Sequence, residues 1–275
     1  MKNIALILSC IVLLSCKEDK KIIEIDDKPQ VNVTVTNSIP HEVLKRQVDC
    51  NENTYIFNIP IFNSNTDADL VLNNSIKGLI TKNFIDVTYN RDAPLKSLVE
   101  MFLDRRARIL CKEKKEEGLL SVDTSFITDT DKFISYELEY VEGKEKGRLL
   151  KTFLKPDLKE IHLSDVIQEN KKQDVLTIFN ANLQQAVANL VTEIPTGEVK
   201  NEFMDYVRNT AFTFDTKDFE TSGLAFDFKG ETTKKLRLSK NVNLPEKFQF
   251  LNNTIIIEID AYQLSHYLDL SRVID

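Results

Sequence analysis

The sequence has no tryptophan and only three histidines, His41, His162 and His266, which lie far from one another and from any cysteine. Zinc ligands come at short, recognisable spacings, so no metal site is proposed by this pattern. The absence of tryptophan weakens a sugar-binding reading without ending it, because tyrosine and phenylalanine also stack on sugar faces. There is no glycine-rich phosphate loop, no nucleophile elbow and no paired-cysteine signature, so no catalytic residue and no cofactor is implied. Positive charge is in short supply as well. Thirty-six Lys and Arg face 43 Asp and Glu, for a net charge of -7, which argues against nucleic acid as a partner and is compatible with a cationic one.

Long apolar runs are also missing, apart from one at the start. Ile4 to Leu14, broken only by Ser9 and Cys10, follows Met1-Lys2-Asn3. It is short for a membrane-spanning helix and has the charged and apolar regions of an export signal. Together with Leu13-Leu14-Ser15-Cys16 it resembles a bacterial lipoprotein signal. The resemblance implies cleavage before Cys16 and acylation of that cysteine, with two or three chains giving a stable membrane anchor. The next residues, Lys17-Glu18-Asp19-Lys20, resemble the pattern that sends lipoproteins of the Bacteroidetes type to the cell surface. The expected location is therefore the outer membrane, lipid-anchored, on its periplasmic face or at the cell surface.

Past Cys16 only Cys50 and Cys111 remain. In an exported chain they are candidates for one disulfide, closing a loop of about 60 residues with a chain-entropy stabilisation of roughly 4 kcal/mol. The alternative is two buried free thiols acting as small hydrophobes.

The chain of 275 residues can bury a core without metal or heavy cross-linking. Residues 1–15 read as signal and 16–40 as a charged, proline-containing tether, with alternation over Val31–Thr36 that could pair with Val43–Val48. Tyr55, Phe57, Ile59 and Ile61 mark a strand, and Leu72, Ile76, Leu79, Ile80, Phe84 and Val87 an amphipathic helix. A second helix starts near Pro94, burying Leu95, Leu98, Phe102, Ile109 and Leu110. Its other face carries Arg105, Arg106, Arg108, Lys112, Lys114 and Lys115, read as a solvated face.

A meander follows: Leu120 and Val122, then Ile134, Tyr136, Leu138 and Tyr140, a loop over Glu142–Gly147, a strand over Leu149–Leu154, and over Ile161–Val166 a short strand entering a turn. Val175 to Val191 has the clearest helical spacing, and Val199, Phe203, Tyr206 and Val207 mark a shorter helix. Phe212 and Phe214 with Leu224, Phe226 and Phe228 suggest a hairpin. Lys229–Asn243 reads as a long loop, Ile255–Ile259 as a strand and Leu264–Leu268 as a helical turn. Strands grouped with strands give an α+β class, antiparallel sheets with a meander packed against amphipathic helices. The expected division is 41–170 and 171–275, as two subdomains or one continuous domain.

The order of these pieces resembles the exported domain shared by RsiV-type anti-sigma factors and the non-catalytic region of some peptidoglycan deacetylases. The residues that carry the likeness are Asn73, Asn74 and Ile76, the meander Phe133–Phe153, Asp157–Val166, Phe212-Thr213-Phe214, Gly223–Phe228, and Ile255–Ile259 with Tyr262 to Leu268. Two loops depart from it. Gly143–Gly147 stands where the family often has Gly-Ala-His, and Leu244–Asn253 has neither the tyrosines nor the glycine of the family's loop. The resemblance implies a binding scaffold, with a cationic, lysozyme-like protein as partner, and assigns no contact residue. This chain lacks the family's transmembrane and sigma-binding regions, so the signalling output is not implied.

Among carboxylates, Glu137 and Glu139 point the same way along one strand at roughly 7 Å, a separation that acid/base pairs use. The alternation places them on a solvated outer face. Asp157 and Asp165 are too far apart in sequence for a calcium loop. The functional expectation is a non-catalytic envelope binding module for a protein or a cell-wall component. The alternatives are an envelope hydrolase, such as a deacetylase or esterase, and a structural factor of the outer membrane.

Overall fold

The computed structural model describes residues 30–33, 41–50, 53–62, 67–81, 93–113, 119–155, 157–228 and 234–271. The signal, the acylation site Cys16 and residues 17–29 lie outside them. The fold is α+β: a mostly antiparallel sheet with a meander, packed against several helices.

Seven strands run in chain order across the large sheet: β1 (Gln30–Val33), β2 (His41–Cys50), β3 (Asn53–Phe62), β4 (Leu119–Asp129), β5 (Phe133–Glu142), β6 (Glu145–Leu154) and β7 (Lys159–Glu160). All neighbours are antiparallel except β3 and β4, where Phe57 pairs with Val122. β1 lies inside the stretch read as tether and pairs with Glu42–Lys45, so the sheet takes up Gln30–Val33 of that stretch. The loop read over Glu142–Gly147 is only a two-residue turn, since Glu142 pairs with Glu145. Gly143 supplies the positive φ of 58° that its first central position requires.

Helices α1 (Asp67–Thr81) and α2 (Leu95–Arg108) fill the crossover between β3 and β4. Their apolar stripes, with Leu72 and Ile76 from α1 and Val99, Phe102 and Leu103 from α2, pack on Phe57, Ile59, Val122, Tyr136 and Leu138 of one sheet face. Pro94 caps α2 from just outside the helix, and its carbonyl accepts the Leu98 N–H at 3.1 Å. Asn73 ties α1 to the sheet: its side chain accepts from the Phe62 N–H at 2.9 Å and donates to the Phe62 carbonyl at 3.0 Å. Cys50 and Cys111 are joined in a disulfide with Cα atoms 5.0 Å apart. The polar face expected for α2 needs correction at Arg106, which is buried. Lys114 and Lys115 lie outside the described residues.

The second half builds a three-stranded antiparallel sheet, ordered β10-β9-β8, from β8 (Gly223–Asp227), β9 (Lys235–Asn241) and β10 (Thr254–Asp260). Helices α3 (Lys172–Asn189) and α4 (Glu198–Asn209) cover its outer face, with Phe179, Leu183, Phe203, Leu238 and Ile257 in one core. A short α5 (Asp218–Thr221) precedes β8.

Three expectations fail here. Lys229–Asn243 is not a long loop, because β9 is the central strand, with Leu236 and Leu238 buried between polar neighbours. Phe212 and Phe214 form no strand, and their N–H groups go to Gln184 and Asn180 of α3 at 3.2 and 2.5 Å. Over Ile161–Val166 only the strand part fails, since β7 ends at Glu160; the turn is present as a 3-10 turn over Leu163–Asp165, where the Asp165 carboxylate takes the His162 N–H at 2.9 Å in a capping box.

The small sheet rests on the free face of the large one, and the layer between them is largely polar. Its apolar part is a cluster of Ile127, Leu150 and Ala225, with Ile256 packed against it. Beside it runs a row of hydroxyls on three adjacent strands, Thr128, Ser135 and Thr152, which are direct cross-strand partners. The outer edge of β8 lies along this row. Thr152 donates to the Leu224 carbonyl at 2.9 Å, and the N–H groups of Phe226 and Phe228 donate to Ser135 and Thr128 at 3.1 and 3.0 Å. An edge strand's backbone groups would otherwise be buried without partners. The register shift between Phe126 and Thr128 turns both Ile127 and Thr128 toward the small sheet.

Gly223 lies close against the backbone of β6. A methyl group there would stand 2.8 and 2.9 Å from the backbone O and N of Leu150 and 2.3 Å from Ser239 Oγ. Gly223→Ala should therefore lower stability by about 1–3 kcal/mol in denaturant unfolding. Ser239→Ala in the same chain should restore little of it, since the Leu150 backbone remains in the way.

A charged cleft at the sheet junction

Where the small sheet stops covering the large one, a cleft of about 670 Å³ opens. Its floor is the sheet face itself, read from the strand register as two lateral rows. The first is Asn58, Asp123, Glu139 and Arg148 on β3, β4, β5 and β6. The second has Ile56 beside Ser121, then Val141 and Lys146. The walls come from the end of α3 with the 3-10 turn after it, through Asn189 and Glu193, and from the start of β10, through Asn252 and Thr254.

Ion pairs hold the floor in place. Arg148 Nη2 binds Glu139 Oε1 at 2.8 Å and its Nε faces Glu137 Oε1 at 3.7 Å. Glu137 Oε2 accepts from Arg237 Nη1 at 3.1 Å, Arg237 Nε meets Glu258 Oε1 at 3.2 Å, and Lys235 Nζ closes the chain on Glu258 Oε2 at 2.8 Å. This seam of alternating charge runs from the cleft into the inter-sheet layer. It corrects the reading of Glu137 as a solvated residue: only 6% of it is exposed. Simple alternation failed because β5 is covered on both faces, by helices on one side and by the small sheet on the other.

Asp123 accepts the Asn58 side-chain N–H at 2.8 Å. It also stands directly across from Glu139, a like-charge neighbour whose own charge is answered by Arg148. Lys146 is exposed and makes no ion pair among the described residues.

Hydrogen bonding from Lys235 lowers the Glu258 pKa; burial opposes this, and the charges of Lys235 and Arg237 assist it. A carboxylate with a depressed folded-state pKa stabilises above its unfolded value and loses that contribution as pH falls through the folded one. Glu258→Gln should therefore cost stability at pH 7, and the gap to the parent protein should close as denaturation is repeated below the usual glutamate range. Burial raises the Tyr136 hydroxyl pKa, although a hydrogen bond with Ser75 works the other way.

The histidines stay apart. His41 is buried against Phe62 and Phe126, His162 opens the 3-10 turn and His266 is exposed. Asp165 is occupied in its capping box, with Lys159 at 3.8 Å. Among the described residues no cluster of three or more His, Cys, Asp or Glu could hold a metal ion. No helix among them is long and apolar enough to cross a membrane.

No protein-family model matches the chain, and no curated protein sequence does. Among solved structures it is similar to a DUF3298 family protein from Pseudomonas aeruginosa, at 15% identity and a TM-score of 0.48, over 85% of this chain and 96% of that one. It is also similar to a DUF3298 family member from Bacteroides fragilis, at 10% identity and a TM-score of 0.47, over 88% of this chain and 94% of the other.

Proposed function

We propose that the chain is an exported binding module, anchored to the outer membrane through lipid on Cys16, which recognises a protein or cell-wall component without transforming it. The observation that carries this reading is the fixed floor of the cleft. Glu139, Arg148 and Asp123 are each held by a neighbour, so the polar groups are in position before any partner arrives. The two carboxylates that acid/base chemistry would have used, Glu137 and Glu139, are both engaged by arginine. The Cys50–Cys111 disulfide supports an oxidising compartment.

A lysozyme-like basic protein is the first partner to test, because the chain carries a net charge of -7. The acylated protein immobilised in vesicles should retain lysozyme at low ionic strength and release it as salt rises. No retention at low salt ends this choice of partner. The anchor is tested separately: labelled palmitate should enter the parent protein and not Cys16→Ser.

A further inference from the structure

We propose that the cleft binds a short peptide with free ends, about three residues long, laid across the strands of its floor. This rests on the cleft being the recognition site, and it does not require the partner to be a protein.

The argument is the arrangement of charge. The positive groups lie together at the β6 side, where Lys146 and Arg148 are two residues apart on one strand and so share a face. The carboxylate of Asp123 lies on β4, with Glu139 on β5 between them. Glu139 is satisfied by Arg148, which leaves Asp123 and Lys146 as the outlying charges of opposite sign on the floor, with Glu193 on the wall above it. Asp123 and Arg148 are separated by two strand spacings, or about 10 Å. Three residues of extended chain span at most roughly the same length, so the two ends of a tripeptide reach the two sites together.

The intervening peptide carbonyls then meet the side-chain N–H groups of Asn189 and Asn252, whose oxygens already accept from Gln185 and from the Thr254 N–H. The ligand's ammonium sits on Asp123, on the side facing Glu139. Its carboxylate sits on Lys146, with the Arg148 N–H groups not used by Glu139. A ligand of one charge sign leaves one end of the floor unanswered, and an apolar ligand leaves both.

Calorimetric titration of the acylated protein in detergent micelles with trialanine tests this. Trialanine should bind, and capping either end by acetylation or amidation should weaken it at least tenfold. Dialanine and pentaalanine should bind less well than trialanine. In Asp123→Asn the penalty for acetylation should disappear while that for amidation stays, and Lys146→Gln should show the reverse. Both side chains are exposed, so the variants should fold. Absence of binding at millimolar trialanine, or equal binding of the doubly capped peptide, overturns the proposal. Lysozyme retention without tripeptide binding would defeat this inference alone, and tripeptide binding without lysozyme retention would defeat only the protein partner.

Discussion

Replacing Cys50 and Cys111 together by alanine should lower stability by roughly 4 kcal/mol, measured by denaturant unfolding at pH 7. The crosslink joins residues 61 apart in sequence, and that stretch contains β3, α1 and α2. The unfolded chain regains the freedom of this whole loop when the bond is lost. The folded chain loses little else, because the cysteines stand at the margin of the first core: Cys50 is buried at the end of β2 and Cys111 is only partly buried. Reduction of the parent protein should give the same midpoint shift as the double substitution. A shift of less than about 1 kcal/mol would mean that the crossover is ordered even in the unfolded ensemble.

Arg237→Met should cost about 3–5 kcal/mol, because it leaves Glu137 buried between the two sheets with its 3.1 Å partner gone and only the more distant Arg148 in reach. Much of that cost is the price of an uncompensated charge and not the worth of the pair. Glu137→Met with Arg237→Met should therefore be far less harmful than the sum of the single changes, since two apolar chains of similar size can fill the same space. Equilibrium unfolding of the four proteins gives the coupling directly. Additive losses would show that Glu137 and Arg237 act separately.

The α+β class, the meander and four of the helices were legible because their apolar residues recur at the period of the element they form. Tyr136 and Leu138 mark β5 as plainly as Phe179 and Leu183 mark α3. β9 was hidden for a physical reason. Lys235, Arg237 and Ser239 look like loop residues, yet Arg237 and Ser239 are partly or wholly shielded because the surface they meet is itself polar. Glu137 was misplaced by the same feature. A sequence pattern registers the apolar side of a strand and says nothing about a partner that arrives from a hundred residues away.

The cleft was illegible for a related reason. Asp123, Glu139 and Lys146 have no motif spacing, and they become neighbours only through the register of three strands. The signal available was weak: polar residues at alternate positions of strands whose other face is apolar, as at Ser121 and Asp123 around Val122.

The single parallel joint of the large sheet also bears on how fast the chain reaches its native state. Phe57 cannot meet Val122 until the whole helical crossover has been gathered in, whereas each hairpin of the meander closes over a few residues. Entropy of closure grows with the logarithm of the segment, so the β3–β4 contact carries a larger closure cost than any hairpin of the meander. The Cys50–Cys111 bond ties together the two ends of nearly the same segment, so once formed it lowers the closure cost of the β3–β4 contact as well as securing the finished fold.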